Sequence, residues 1–133
     1  MTTTQATRLT SWITAINVLV GSGFSIVGII LPQYLLPAGF VPTNASLIMA
    51  MYAAASKTTL AVFVLAVIYN RATTALLYLA SLAGVVQLLD AGIGLYEHDP
   101  GKLGGPLFFA VLQFLAVYLL QKSGRSTSQT TRA

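Results

Sequence analysis

Four apolar stretches separated by short polar segments constrain the fold of this chain more than any other feature. A bilayer core about 30 Å thick is crossed by a helix of roughly 20 apolar residues. Backbone groups in lipid must be paired within the structure, so the four stretches predict helices and not open strands. The composition agrees, because only 8% of the residues are charged, whereas soluble domains carry about 25%. The predicted spans are 11–31, 46–69, 73–96 and 103–121.

Small and polar residues follow one face of each span and predict where the helices touch. The stripe of the third span consists of Ala80, Gly84, Gln87, Ala91 and Gly94. The stripe of the first span consists of Asn17, Gly21, Ser25 and Gly28. Small residues let helix backbones approach closely in lipid. We therefore predict an all-α, transmembrane, antiparallel four-helix bundle over residues 11–121, with a polar N-terminal tail (1–10) and a disordered C-terminal tail (122–133). The turn at 70–72 is so short that spans two and three must be neighbours.

The distribution of lysine and arginine predicts the orientation of the bundle. Basic residues near span ends favour the cytoplasmic side. One side of the predicted bundle carries Arg8, Arg71, Lys122, Arg125 and Arg132. The other side carries only Lys102. Both termini are therefore expected in the cytoplasm.

Two ionisable side chains lie inside predicted spans, Lys57 in the second and Asp90 in the third. A lone charge at the centre of a span costs about 2.5–3.5 kcal/mol on insertion scales. We therefore expect the two to pair across facing helices, and we assign both as candidate catalytic residues. The side chains expected to bind a ligand beside them are Gln87, Gln113, Tyr52 and Thr58.

Three functional hypotheses remain open for this cluster. The pair can be structural, fixing helix register without binding anything. The cluster can line a pocket for a small apolar or amphiphilic molecule, such as a lipid, quinone, sterol or terpenoid, or the protein can act as an accessory subunit. In a catalytic variant of this second hypothesis, the protein is a cofactor-free membrane enzyme of the isomerase or cyclase type, with Asp90 as acid or base and Lys57 orienting it. The third hypothesis is a small ion or solute transporter.

Other partners are bounded by composition. The basic residues are scattered and lack interleaved aromatic side chains, so we expect no nucleic acid partner. The chain has no cysteine, and Glu97, His98 and Asp99 are consecutive, so we expect neither a metal nor another cofactor. The expected partners are membrane lipids and a small apolar ligand, together with a homo-oligomer or a larger membrane complex.

The exit from the first span also carries a family resemblance. The segment "GSGFSIVGIILPQYLLP", residues 21–37, combines a glycine-rich span with a proline-bearing exit. In this outline the chain resembles the small four-span membrane proteins of the DoxX-like kind over residues 11–121. The resemblance implies a four-helix membrane bundle and, for some members, association with quinone-linked redox complexes. It assigns no residue a role. The uncharged loop at 32–45 is expected to be an interfacial connector or a lid over the bundle.

Overall fold

The computed structural model describes residues 2–37 and 39–130, with side chains as far as Gly124. The four helices are α1 (Thr3–Ile30), α2 (Asn44–Tyr69), α3 (Thr73–Tyr96) and α4 (Pro100–Thr130), and a 3₁₀ turn at Pro32–Leu35 follows α1. All four helices are long and apolar enough to cross a membrane. The chain is a small multi-pass membrane protein, and the predicted antiparallel four-helix bundle is confirmed.

The expected N-terminal tail is instead part of α1, which begins at Thr3. Thr2 and Gln5 form a capping box, in which the Thr2 hydroxyl accepts from the Gln5 N–H at 3.3 Å and the Gln5 side-chain oxygen accepts from the Thr2 N–H at 3.0 Å. Such a box satisfies N–H groups at the start of a helix. Ala6 and Thr10 are then buried in the bundle. The expectation of a separate tail at 1–10 is therefore wrong.

The C-terminal tail expected over 122–133 is likewise helical as far as Thr130, and the last three residues lie outside the described part of the chain. α4 also begins earlier than predicted. The Asp99 carboxylate accepts from the N–H groups of Gly101 at 2.9 Å and Lys102 at 3.2 Å. A carboxylate in this position stabilises the first turn of a helix. The predicted bounds of α3 agree with those observed.

The small-residue stripe of α3 lies inside the bundle, as predicted, and two of its glycines face α4. Gly84 and Gly94 are buried there. A Cβ on Gly84 would lie 3.1 Å from the ring of Phe114, and one on Gly94 would lie 2.6 Å from the backbone nitrogen of Leu103. The absence of side chains at these two positions therefore lets α3 and α4 approach closely.

The four helices pack unequally around the bundle. The most extensive contact is between α3 and α4, and the next is between α1 and α2. The contact between α1 and α4 joins these two helix pairs. α2 and α3 contact each other much less, although the chain joins them by the short turn at 70–72. We call this loosely packed boundary the α2–α3 seam.

The bundle has two distinct ends. We call the end at which α1 begins and α2 ends the tail end, and the end with the loop between α1 and α2 the loop end. At the loop end, Leu35 fills the space beside Gly28 and Ala54, where a Cβ on the glycine would collide with it. The 3₁₀ turn contacts α1 and α2. Between the two loop hypotheses, this contact favours a connector fixed to the α1–α2 pair.

Candidate functional site

Lys57 and Asp90 form an ion pair across the α2–α3 seam. The Lys57 Nζ donates to the Asp90 Oδ2 at 2.7 Å. Lys57 lies near the middle of α2, and Asp90 lies six residues from the end of α3, about 9 Å along the helix. The lysine stem bridges the difference in depth. The predicted contact between the two side chains is therefore confirmed, while the catalytic role assigned to both stays a prediction.

A small cavity of about 50 Å³ lies beside this ion pair. Its walls come from three helices: Asn17, Val18, Gly21 and Ser22 of α1, Lys57 and Leu60 of α2, and Ala83, Val86, Gln87 and Asp90 of α3. The Lys57 and Asp90 side chains are 41% and 24% exposed, whereas Asn17 behind them is 2% exposed. The cavity therefore opens sideways at the seam, and α1 closes its back.

Apolar packing closes the same seam on the tail-end side of the cavity. Val18, Ala61 and Val64 form a buried cluster between α1 and α2. Leu79 of α3 packs against it from across the seam. At the seam, aliphatic side chains therefore separate Lys57 and Asp90 from the tail end.

A chain of hydrogen bonds runs from the cavity wall into the core of the bundle. Gln87 donates to the Asn17 side-chain oxygen at 2.6 Å, and Asn17 donates to the Gln113 side-chain oxygen at 3.2 Å. Gln113 donates to the Thr14 hydroxyl at 2.7 Å, and Thr14 donates to the Thr10 carbonyl at 2.7 Å. The chain joins α3, α1 and α4, and it fixes the Gln87 amide against the cavity. Buried polar groups paired in this way avoid the penalty of unmet hydrogen bonds.

The other predicted site residues are distributed unevenly. Gln87 lines the cavity. Gln113 is fully buried behind it and connected to it through Asn17. Tyr52 is 69% exposed on the outer surface of α2, and Thr58 donates to the Ala54 carbonyl within its own helix. Neither lines the cavity. The ligand-binding roles of all four side chains stay predictions.

The sequence reasoning missed the part of the site that α1 supplies. Asn17 belonged to the predicted stripe of α1 but was not joined to the Lys57–Asp90 cluster. Thr10 and Thr14 were not recognised, although both are fully buried. The signal was present, since the stripe spacing of three and four residues continues backward from Asn17 through Thr14 to Thr10. Continuing the stripe to the start of the predicted span would have found Thr14, and continuing it into the expected tail would have found Thr10.

The site combines one cation, one anion and the two amides of Asn17 and Gln87 in a small cavity that opens sideways. Its formal charges cancel. Among the residues whose side chains are described, no group of three or more His, Asp or Glu side chains is positioned to hold a metal ion. The second ion pair of this region, between Lys102 and Glu97, lies at the loop end and does not line the cavity.

Comparisons with known proteins add no family to this description. No family model matches the chain, and neither a curated protein nor a solved structure matches it. The resemblance to DoxX-like proteins therefore rests only on the four-span outline and on the glycine-rich first span with its proline-bearing exit.

Proposed function

We propose that this membrane protein binds the polar head of an amphiphilic molecule that enters the α2–α3 seam from the bilayer. The observation that carries the proposal is the Lys57–Asp90 ion pair bordering a cavity that opens sideways. Polar groups in a bilayer face a protein interior or a cavity, and ionisable ones mark functional sites by default. A few polar groups within an otherwise apolar wall are typical of small-molecule sites.

Binding is better supported than transport. A transport path must reach both ends of the bundle, and titratable groups usually line it. Here Val18, Ala61, Val64 and Leu79 close the seam between the cavity and the tail end. The hydrogen-bonded chain through Gln113 continues toward that end, but it consists of neutral side chains paired with one another.

We further propose that the tail end lies in the cytoplasm. Arg8 and Lys122 lie near this end, and Arg71 lies in the turn between α2 and α3. At the opposite end Lys102 is paired with Glu97. The positive-inside rule then puts the cavity in the half of the bilayer away from the cytoplasm.

Photolabelling of a cavity-filling variant tests the proposed binding. Gly21 lines the cavity, and a Cβ there meets no heavy atom within 4 Å, so Gly21→Leu fills the cavity without a backbone clash. Gly23→Leu is the matched control, since Gly23 has equal space but does not line the cavity. The probes are four diazirine-bearing hexadecyl lipids, an alcohol, an acid, an amine and a methyl ether, in phosphatidylcholine nanodiscs.

We expect at least one of these probes to label peptides around Lys57 and Asp90 in the parent protein and in Gly23→Leu, but not in Gly21→Leu. Equal labelling of all three proteins by every probe would contradict the proposal, because the lipid would then contact only the outer surface. An absence of labelling at the seam by all four probes would contradict it as well.

A further inference from the structure

We infer that the head group received by this cavity is a neutral hydroxyl, so that the ligand is a long-chain alcohol and not a charged or ring-headed lipid. The inference rests on the proposed binding function and specifies its ligand class. Three properties of the cavity carry it: its volume, its charge balance and its arrangement of hydrogen-bond donors and acceptors.

The volume of the cavity limits the head group of the ligand to a few non-hydrogen atoms. The cavity encloses about 50 Å³. An apolar cavity that admits benzene measures about 150 Å³, and a single water needs about 10–15 Å³ of the same kind of space. A six-membered ring therefore does not fit beside Lys57 and Asp90, and neither does a substituted phosphate. A hydroxymethyl group does.

The charge balance favours a neutral head. Lys57 and Asp90 neutralise each other at 2.7 Å, and no other charged side chain among the described residues lines the cavity. An anionic or cationic head would therefore add a charge without a counter-ion in a region shielded by lipid. Such a charge is costly in a low-dielectric environment.

The charged groups at the opening of the cavity offer both a donor and an acceptor to a hydroxyl group. The Lys57 ammonium has three N–H donors, and the hydrogen bond to Asp90 uses one of them. The Asp90 carboxylate has two oxygens, and Lys57 contacts Oδ2. A hydroxyl can accept from the first group while it donates to the second, whereas an ether can only accept. The alkyl chain leaves the cavity across the apolar side chains of Leu60 and Val86.

The experiment compares the four diazirine-bearing hexadecyl probes in competition with their unlabelled counterparts. Labelling by the alcohol at the seam should be displaced by 1-hexadecanol at a concentration about tenfold lower than that needed of hexadecyl methyl ether, palmitate or hexadecylamine. About tenfold is the factor expected from one additional charge-assisted hydrogen bond. Asp90→Asn should reduce the advantage of the alcohol over the ether, because it replaces the charged acceptor that only the hydroxyl uses by a weaker neutral one, and Lys102→Met, which breaks only the ion pair at the loop end, should leave it unchanged.

Equal displacement by the ether, or preferred binding of the acid or the amine, would overturn the hydroxyl assignment and leave the binding site itself in place. Labelling of the seam by none of the probes would instead overturn the proposed function, and the cavity would then hold only water. Should Asp90→Asn fail to fold, the double variant Lys57→Met, Asp90→Asn removes both charged groups at a smaller cost in stability. It should reduce the preference for the alcohol over the ether in the same way, and an unchanged preference would count against the assignment.

Discussion

Replacing Lys57 and Asp90 singly and together should give a strongly non-additive loss of stability. The Nζ–Oδ2 distance is 2.7 Å, and the two side chains are only partly exposed at the seam. Lys57→Met leaves the Asp90 carboxylate without its cation, and Asp90→Asn leaves an ammonium near the middle of α2. A lone charge inside a span costs about 2.5–3.5 kcal/mol, so each single change should destabilise the bundle by up to about that amount.

The double variant removes both charges and should cost less than about 1 kcal/mol, because replacing an intact buried pair by uncharged groups is often nearly neutral. With single costs at that limit, the coupling free energy, which is their sum less the cost of the double variant, is about 4–7 kcal/mol, well beyond the scatter of independent sites. Steric trapping in lipid bicelles measures the free energy of unfolding of all four proteins. Lys102→Met and Glu97→Gln, applied to the loop-end pair, give the control cycle. Its coupling should be below about 1 kcal/mol, because this pair lies at the end of the bundle, where water screens the charges. Additive costs at Lys57 and Asp90 would refute the reasoning.

Three further predictions concern packing, the polar chain and orientation. Gly94→Ala should destabilise the bundle by about 1–3 kcal/mol in the same unfolding assay, because the added Cβ meets the α4 backbone. Gly92→Ala is the control: its added Cβ meets no atom of another helix within 4 Å, so the change should be neutral or slightly stabilising. Gln113→Leu should lower the free energy of unfolding by about 1–3 kcal/mol, since it removes the hydrogen-bond partner of two buried side chains of α1. A decrease below about 0.5 kcal/mol would mean that the chain of hydrogen bonds contributes little to stability. In this cysteine-free chain, an impermeant thiol reagent applied to intact cells should label His98→Cys but not Asn70→Cys, and the opposite pattern would reverse the proposed orientation.

The sequence was sufficient to predict the helices, their inward faces and the ion pair. Helix length follows from bilayer thickness, and the small residues of α3, such as Gly84, mark the face on which α4 packs. The Lys57–Asp90 contact followed from the penalty on unpaired charges in lipid, which leaves few alternatives for two ionisable residues on neighbouring helices. These predictions depend on strong physical constraints that act on single residues or single spans.

The sequence was not sufficient to predict which neighbouring helices pack most closely, because this depends on how the faces of several helices compete for the same contacts. A short turn at 70–72 forces α2 and α3 to be neighbours, but it does not determine how closely they pack, and α3 packs more extensively on α4. The looseness of the seam is what creates the cavity. Tyr52 was placed near the site from its reach alone, although its position on α2 turns it to the outer surface. Thr10 was missed because a threonine-rich stretch is typical of a tail when its capping box is not considered. Thr14 was missed because the stripe of the first span was not continued backward from Asn17.

The central claim is that Lys57 and Asp90 are in contact within the bilayer, and one distance measurement tests it directly. In a Lys102→Arg, Lys122→Arg variant, Lys57 is the only lysine of the chain. With ¹⁵N-labelled lysine and ¹³C-labelled aspartate, rotational-echo dipolar recoupling in lipid bilayers reports the distance from Nζ to the carboxylate carbon. We predict the strong dephasing required by an Nζ–Oδ2 distance of 2.7 Å, and its loss in Asp90→Asn prepared without labelled asparagine. Dephasing at background level in the parent variant would contradict the ion pair, and with it the cavity site and the proposed ligand.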